Sequence, residues 1–281
     1  SNVVTVIVAE VINVTVTWQD AANVTVSPGQ TNAVLMFKVT NTGNGTEPFL
    51  LTGNATVAGD QFDPTLASIY LDTNSNGAYD SGTDTLYVPN VNNPNLAANG
   101  VVNFVNVFIL ANIPALGVVD GNLGFATLTA TSKTGTGAAG TIFALQGDGG
   151  VDAIIGATTG TATATGKYVI SSVLVSINKS ATVSDVYGGT RAITGSTIRY
   201  SMTVTATGSG TAVGVVITDA IPAFTAYTAG TLKLNAGALT DNLDPDAGDV
   251  GGTTAGTVTV TLGNMTNLTA VQTILFDVTI N

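Results

Sequence analysis

The chain has 281 residues, 9% of them charged, with 18 acidic against 7 basic side chains, a net charge of −11, and neither His nor Cys. This composition excludes the commonest general base and metal ligand, any thiol nucleophile, and any disulfide or iron–sulfur site. The few cations are scattered singly, so neither nucleic acid nor an anionic membrane is expected as a partner.

The length suits two ordinary domains or one large one. Thr, Val, Ala, Asn and Gly dominate, and no stretch combines a helical period with caps, so the chain reads as all-β. It starts at Ser1 without Met or a basic leader, which reads as a mature, processed product. Residues 3–16 are mostly β-branched. In the opening segment Val4, Val6 and Val8 fall on one strand face and Val3, Thr5, Ile7 and Ala9 on the other. Exposed to water, such a strand would template aggregation. Residues 1–12 are therefore expected to form an extra strand that pairs, either within its own chain or as a donor strand inserted into a neighbouring copy.

The organising stretch is Val39-Thr40-Asn41-Thr42-Gly43-Asn44-Gly45-Thr46, which returns as Val204-Thr205-Ala206-Thr207-Gly208-Ser209-Gly210-Thr211. An alternating strand precedes each copy, and apolar residues follow. Repetition at this distance indicates a duplicated domain. The glycines are expected to end their strands by adopting positive φ in a tight turn. Domain one is expected over residues 13–168 and domain two over 169–281, each a β-sandwich of short strands separated by turns. Residues 101–119 are the longest apolar stretch, but Asn103, Asn106, Asn112 and Pro114 interrupt it. They read as a strand and its turn, not a membrane span. Residues 142–150 and 158–166 are poor in bulky side chains and read as edge strands or loose connections.

One segment carries chemistry. Residues 72–84, Asp-Thr-Asn-Ser-Asn-Gly-Ala-Tyr-Asp-Ser-Gly-Thr-Asp, have the D-x-N-x-N-G-x-x-D spacing of a calcium loop. Side-chain oxygens of Asp72, Asn74 and Asn76 fall at positions 1, 3 and 5. Gly77 stands where the loop turns sharply, the Ala78 carbonyl is the main-chain ligand, and Asp80 takes position 9. Position 12 is Thr83 rather than Glu, and Asp84, one later, is expected to supply the remaining carboxylate ligand. A polar turn would use the same residue types. Calcium is the preferred reading because three carboxylates this close repel without a cation. Asp241, Asp244, Asp246 and Asp249 lack such spacing and read as a solvated turn rather than a second cation site. Trp18, the single Trp, reads as core or interface filler, and Lys38 as solvent-facing. Asn-x-Ser/Thr triplets permit glycosylation without arguing for it.

The second copy also resembles the "conserved repeat" domain of bacterial and archaeal surface proteins, and the first copy resembles it as a more divergent copy, around Val39 to Thr46. The resemblance rests on Ile177-Asn178-Lys179, residues 200–204, residues 207–212, residues 216–222 and residues 258–280. It implies an immunoglobulin-like sandwich, an extracellular, cell-surface location and a stalk or self-assembly role, and it transfers no catalytic residue. The expectation is a non-enzymatic subunit of an extracellular filament, polymerised head to tail with copies of itself. The alternative is an adhesin or carbohydrate-binding module of a larger surface assembly.

Overall fold

The computed structural model describes residues 6–98 and 102–281. The protein is all-β. Among the described residues the only helical element is the 3-10 turn Asp148–Gly150, and no helix is long and apolar enough to cross a membrane. The chain divides into two compact units, Ser1–Ser171 and Ser172–Asn281.

In unit 1 two five-stranded sheets face each other. One runs Val14–Trp18, Ala33–Asn41, Phe104–Asn112, Thr65–Leu71 and Thr85–Leu86. The other runs Val24–Val26, Thr161–Ile170, Leu123–Ser132, Glu47–Asn54 and Asn95–Leu96. Alternation drives the packing. Ala33–Asn41 buries Leu35, Phe37 and Val39, and Leu123–Ser132 buries Ala126, Leu128 and Ala130 against the same core. On the outer face, Thr129 and Thr163 pair their hydroxyls across strands at 2.8 Å, as Thr131 and Thr161 do at 3.3 Å. The Thr-rich composition thus has a cross-strand use. Trp18 packs partly buried on this core, and Lys38 lies on the sheet's outer face, 3.8 Å over the Phe104 ring.

Thr161–Ile170 is a long strand paired with Leu123–Ser132 on one side and, only at Tyr168–Ile170, with Val24–Val26 on the other, so residues 158–166 lie at a sheet edge, one of the two expected readings, and the two units divide after Ser171. The strand's shortage of bulk has a cause. A Cβ on Gly166 would lie 2.8 Å from Leu35, 2.9 Å from Phe37 and 3.2 Å from Trp18, so large neighbours use the space. Of the expected donor segment 1–12, residues 1–5 lie outside the described residues, and residues 6–9 form no strand. Glu10–Ile12 belongs to its own unit, pairing in parallel with Ala153–Ile155 and burying Ile12 against Ala153 and Ile155.

Gly43 and Gly45 also differ from expectation. Neither has positive φ; both allow close approach. A Cβ on Gly43 would meet the Val11 carbonyl at 2.2 Å, and one on Gly45 would meet the Glu10 side chain at 2.2 Å. Asn44 reinforces the crossing by donating to the Ala9 carbonyl and accepting from the Val11 N–H. Glu10 is buried there, its Oε2 accepting from the Asp148 N–H at 2.6 Å. Burial, with Asp148 and Glu47 close by, raises its carboxyl above the ordinary range.

Unit 2 has one sheet ordered Leu174–Ser184, Thr197–Thr207, Gln272–Ile280, Lys233–Leu234 and Gly237–Ala238, with Thr225–Tyr227 also on Gln272–Ile280. The facing sheet has three strands, Ala212–Ala220, Thr257–Met265 and Gly248–Val250. Met202, Leu232, Val258, Val260, Ile274, Phe276 and Val278 fill the core between them.

Gly166→Val should overpack the interface of Leu35, Phe37 and Trp18. The expected loss is about 1–3 kcal/mol of unit 1 stability, read by denaturant unfolding of the full chain.

Candidate functional site

Thr65–Leu71 ends at Asp72, where the 72–84 loop begins, and the loop returns into Thr85–Leu86. The loop is anchored on the outer face of the sheet. The Tyr79 ring lies 5.0 Å from Tyr70 and 6.0 Å from the buried Phe108, and the site of a Cβ on Gly77 is 3.6 Å from Met36. Aromatic contacts of this kind fix a loop that polar residues alone would leave mobile.

Within it, Asp72 is buried. Its Oδ2 accepts from the Gly77 N–H at 3.0 Å and from Asn106 Nδ2 at 2.9 Å, while its Oδ1 is buried without a partner. Gly77 takes φ +75, the sharp turn its place in the motif requires. The Asn74 Oδ1 accepts from the Asn76 N–H at 3.1 Å, and the Asn76 Oδ1 from the Ala78 N–H at 2.8 Å. Their Nδ2 groups donate to one oxygen, Asp80 Oδ2, at 2.9 and 2.6 Å. Those two bonds hold the Asp80 carboxyl below the usual carboxylate range. Asp84 is buried and ties the loop together, with Oδ1 accepting from the Thr73 N–H at 3.1 Å and Oδ2 from the Asp80 N–H at 2.7 Å.

The loop therefore gathers Asp72, Asn74, Asn76 and Asp80, with Asp84 as its clamp. Among the described residues no three or more Asp, Glu, His or Cys side chains are grouped to hold a metal ion. A cation here would have to draw on carboxamide and main-chain oxygens as well. A buried carboxylate oxygen lacking a partner is the feature that fits one, since such an atom is costly unless a donor or cation meets it. Asn106 escaped the sequence reading. Its signal was an amide between Val105 and Val107 inside a strand that is otherwise apolar up to its terminal Asn112.

Beside the loop lies a cleft of about 540 Å³, lined among others by Leu71, Asp72, Leu96, Phe104, Val105 and Asn106. In unit 2, the acids of the other cluster are spent on their own loops. Asp241 accepts from Tyr227 Oη and the Gly230 N–H. Asp246 accepts from the Thr240 and Gly248 N–H groups, and Asp249 from those of Gly252 and Thr253. This is the behaviour of acidic residues that shape turns.

No family model matches the chain, and no curated protein matches it significantly. Among solved structures, it is similar to the C-terminal domain of the Streptococcus agalactiae AgI/II polypeptide BspA. The TM-score is 0.36 and the identity 10%, covering 95% of this chain and 91% of that one. It is also similar to the titin domains Z1Z2 in complex with telethonin, with a TM-score of 0.24 and 12% identity, covering 92% of this chain and 83% of that one. At such scores the likeness assigns no function.

Proposed function

We propose that this chain is a non-enzymatic structural subunit at the cell surface that polymerises by donating its N-terminal strand to a neighbouring copy. The observation that carries the reading is the segment just before Glu10. Val6, Ile7 and Val8 are 78, 75 and 69% exposed, although all three are β-branched and apolar. Unit 1 forms its sheets without them. Exposed apolar runs of this kind mark interaction surfaces, and an extended one favours strand addition, in which main-chain hydrogen bonds supply affinity and alternate side chains supply fit. Because Glu10–Ile12 is anchored in its own unit, the donor is residues 1–9, tethered directly to a rigid strand. A head-to-tail contact of this type does not close, and so it builds a fibre.

The test is deletion of residues 1–9 in the full chain, followed by electron microscopy. Filaments are expected from the intact protein and folded, unassembled protein from the deletion. Filaments of normal length from the deletion would overturn the reading.

Calcium in the 72–84 loop is part of the same proposal. Asp72, Asn74, Asn76, the Ala78 carbonyl and Asp80 would hold it, with Asp84 bracing the loop. Turning the two carboxamides over would bring their oxygens to face Asp80, an arrangement that only a cation between them makes favourable. Extracellular sites of this class have dissociation constants on the order of 10⁻⁴–10⁻³ M. Binding to the folded state alone would then add about 1–3 kcal/mol at roughly 10 mM calcium. Thermal unfolding should show a midpoint several degrees higher in calcium than in EDTA, and Asp72→Ala should abolish the difference. An unchanged wild-type midpoint would count against the site.

The cleft beside the loop favours a second reading, as a carbohydrate-binding module. Phe104 offers a ring, and Asn92, Asn95 and Asn106 offer amides around the same space. A glycan array probed with the full chain in calcium separates the two readings: specific retention, lost in Phe104→Ala, supports the module.

A further inference from the structure

The two units treat their first strand differently. In unit 1, Val14–Trp18 is covered from the facing sheet by Thr161–Ile170, whose Gly166 sits against Trp18. In unit 2 the corresponding strand, Leu174–Ser184, pairs along its length with Thr197–Thr207. Its residues Val175, Ile177, Lys179 and Ala181 lie opposite Ala206, Val204, Met202 and Tyr200. Val204, Met202 and Ala206 are buried, so this is the face turned toward the sandwich interior. Yet Ile177 is 53% exposed, and Lys179 and Ala181 are exposed too.

The reason is the facing sheet's width. It ends at Ala212–Ala220, which is unpaired on its outer edge among the described residues. That strand reaches its neighbour only through partial contacts. Lys179 Nζ bridges to Asp219 at 2.8 and 2.6 Å, and at one end Val175, Val215 and Ile217 pack on the same small cluster of Val204, Ala206 and Met265. The inner face of Leu174–Ser184 thus overhangs an open flank. An added strand would have to join the Ala212–Ala220 edge to cover that face, because one joined to the free edge of Leu174–Ser184 would leave it open. The stretch Val216–Ala220 is the regular part of this edge, since the bulges fall between Ala212 and Val216.

We infer that the open flank of unit 2, along the Val216–Ala220 edge and over Ile177 and Ala181, is the acceptor for the N-terminal segment of a second copy. This inference rests on the donor-strand reading and names its partner surface. Three features select that occupant. Val6–Val8 is apolar, β-branched and exposed. It carries no charge, and so it suits a flank whose one nearby cation, Lys179, is already paired with Asp219. Its side chains alternate, so one face can lie on Ile177 and Ala181 while the other stays outward. The result reproduces in trans the cover that Thr161–Ile170 gives unit 1 in cis.

The chain has no Cys, so engineered cysteines report one contact only. Full-length protein carrying Val6→Cys, Ile7→Cys or Val8→Cys is mixed with full-length protein carrying Thr218→Cys on the acceptor edge, or Ser176→Cys on the outer face of Leu174–Ser184. Disulfides need Cβ atoms about 3.5–4.5 Å apart. At least one donor position should cross-link to Thr218→Cys, and none to Ser176→Cys. In parallel, Ile177→Lys should cut filament assembly at least about tenfold by placing a charge on the face to be buried, whereas Ser176→Lys should not. Cross-linking to Ser176→Cys alone, or normal assembly of Ile177→Lys, overturns the acceptor assignment. If the 1–9 deletion still blocks assembly in that case, the donor reading survives and only the acceptor lies elsewhere. If the deletion assembles normally, both fall.

Discussion

Much of this structure depends on a close crossing of backbone over backbone. In unit 1 the chain entering the domain passes against the repeat turn, where Gly43 and Gly45 leave room for Val11 and Glu10. In unit 2 the same turn recurs, and a Cβ on Gly208 would meet the Ser172 carbonyl at 2.3 Å, with Gly210 also against Ser172. In both units that turn carries the chain from one sheet to the other, from Ala33–Asn41 to Glu47–Asn54 and from Thr197–Thr207 to Ala212–Ala220. A side chain at any of these glycines would push the entering segment away and with it the first strand. The motif is therefore a packing constraint first. Only Gly208, at φ +96, also uses the left-handed conformation.

The same crossing divides the N-terminus into two parts with different physics. From Glu10 on, the chain is locked by Asn44, by the Asp148 N–H on Glu10, and by the parallel pairing with Ala153–Ile155. Before it, Val6 to Val8 stand in solvent. A rigid anchor beside an exposed strand-forming segment lowers the entropy lost when that segment pairs, because one end is already fixed.

The fold class was legible because it rests on a local pattern, period-two alternation. What the sequence concealed depends on contacts between distant residues. Thr161–Ile170 looked weak in part because Gly166 leaves room for Leu35, Phe37 and Trp18, far away in the chain. Glu10–Ile12 looked unattached because its partner, Ala153–Ile155, lies in a Gly-rich stretch without strand character of its own. In the 72–84 loop the spacing identified Asp72, Asn74, Asn76 and Asp80 as neighbours. It could not reveal that Asn106 reaches in from another strand, nor that Asp84 spends both oxygens on loop amides.

The contrast between the units also explains how low charge is compatible with a β-rich surface. Open edges and apolar faces invite uncontrolled pairing, and natural sheets blunt them with charge, Pro, bulges or cover. Unit 1 covers its first strand internally. Unit 2 has a bulge toward one end of Ala212–Ala220 and a single Lys179–Asp219 pair across its flank, which leaves the regular end of the edge available. A strand from outside would meet one register-defined edge rather than a continuous sticky face. Under the donor-strand proposal that restriction would separate ordered, head-to-tail growth from aggregation: the bulges disfavour regular pairing at Ala212 to Val216, and the exposed Ile177 would reward a strand seated beyond them.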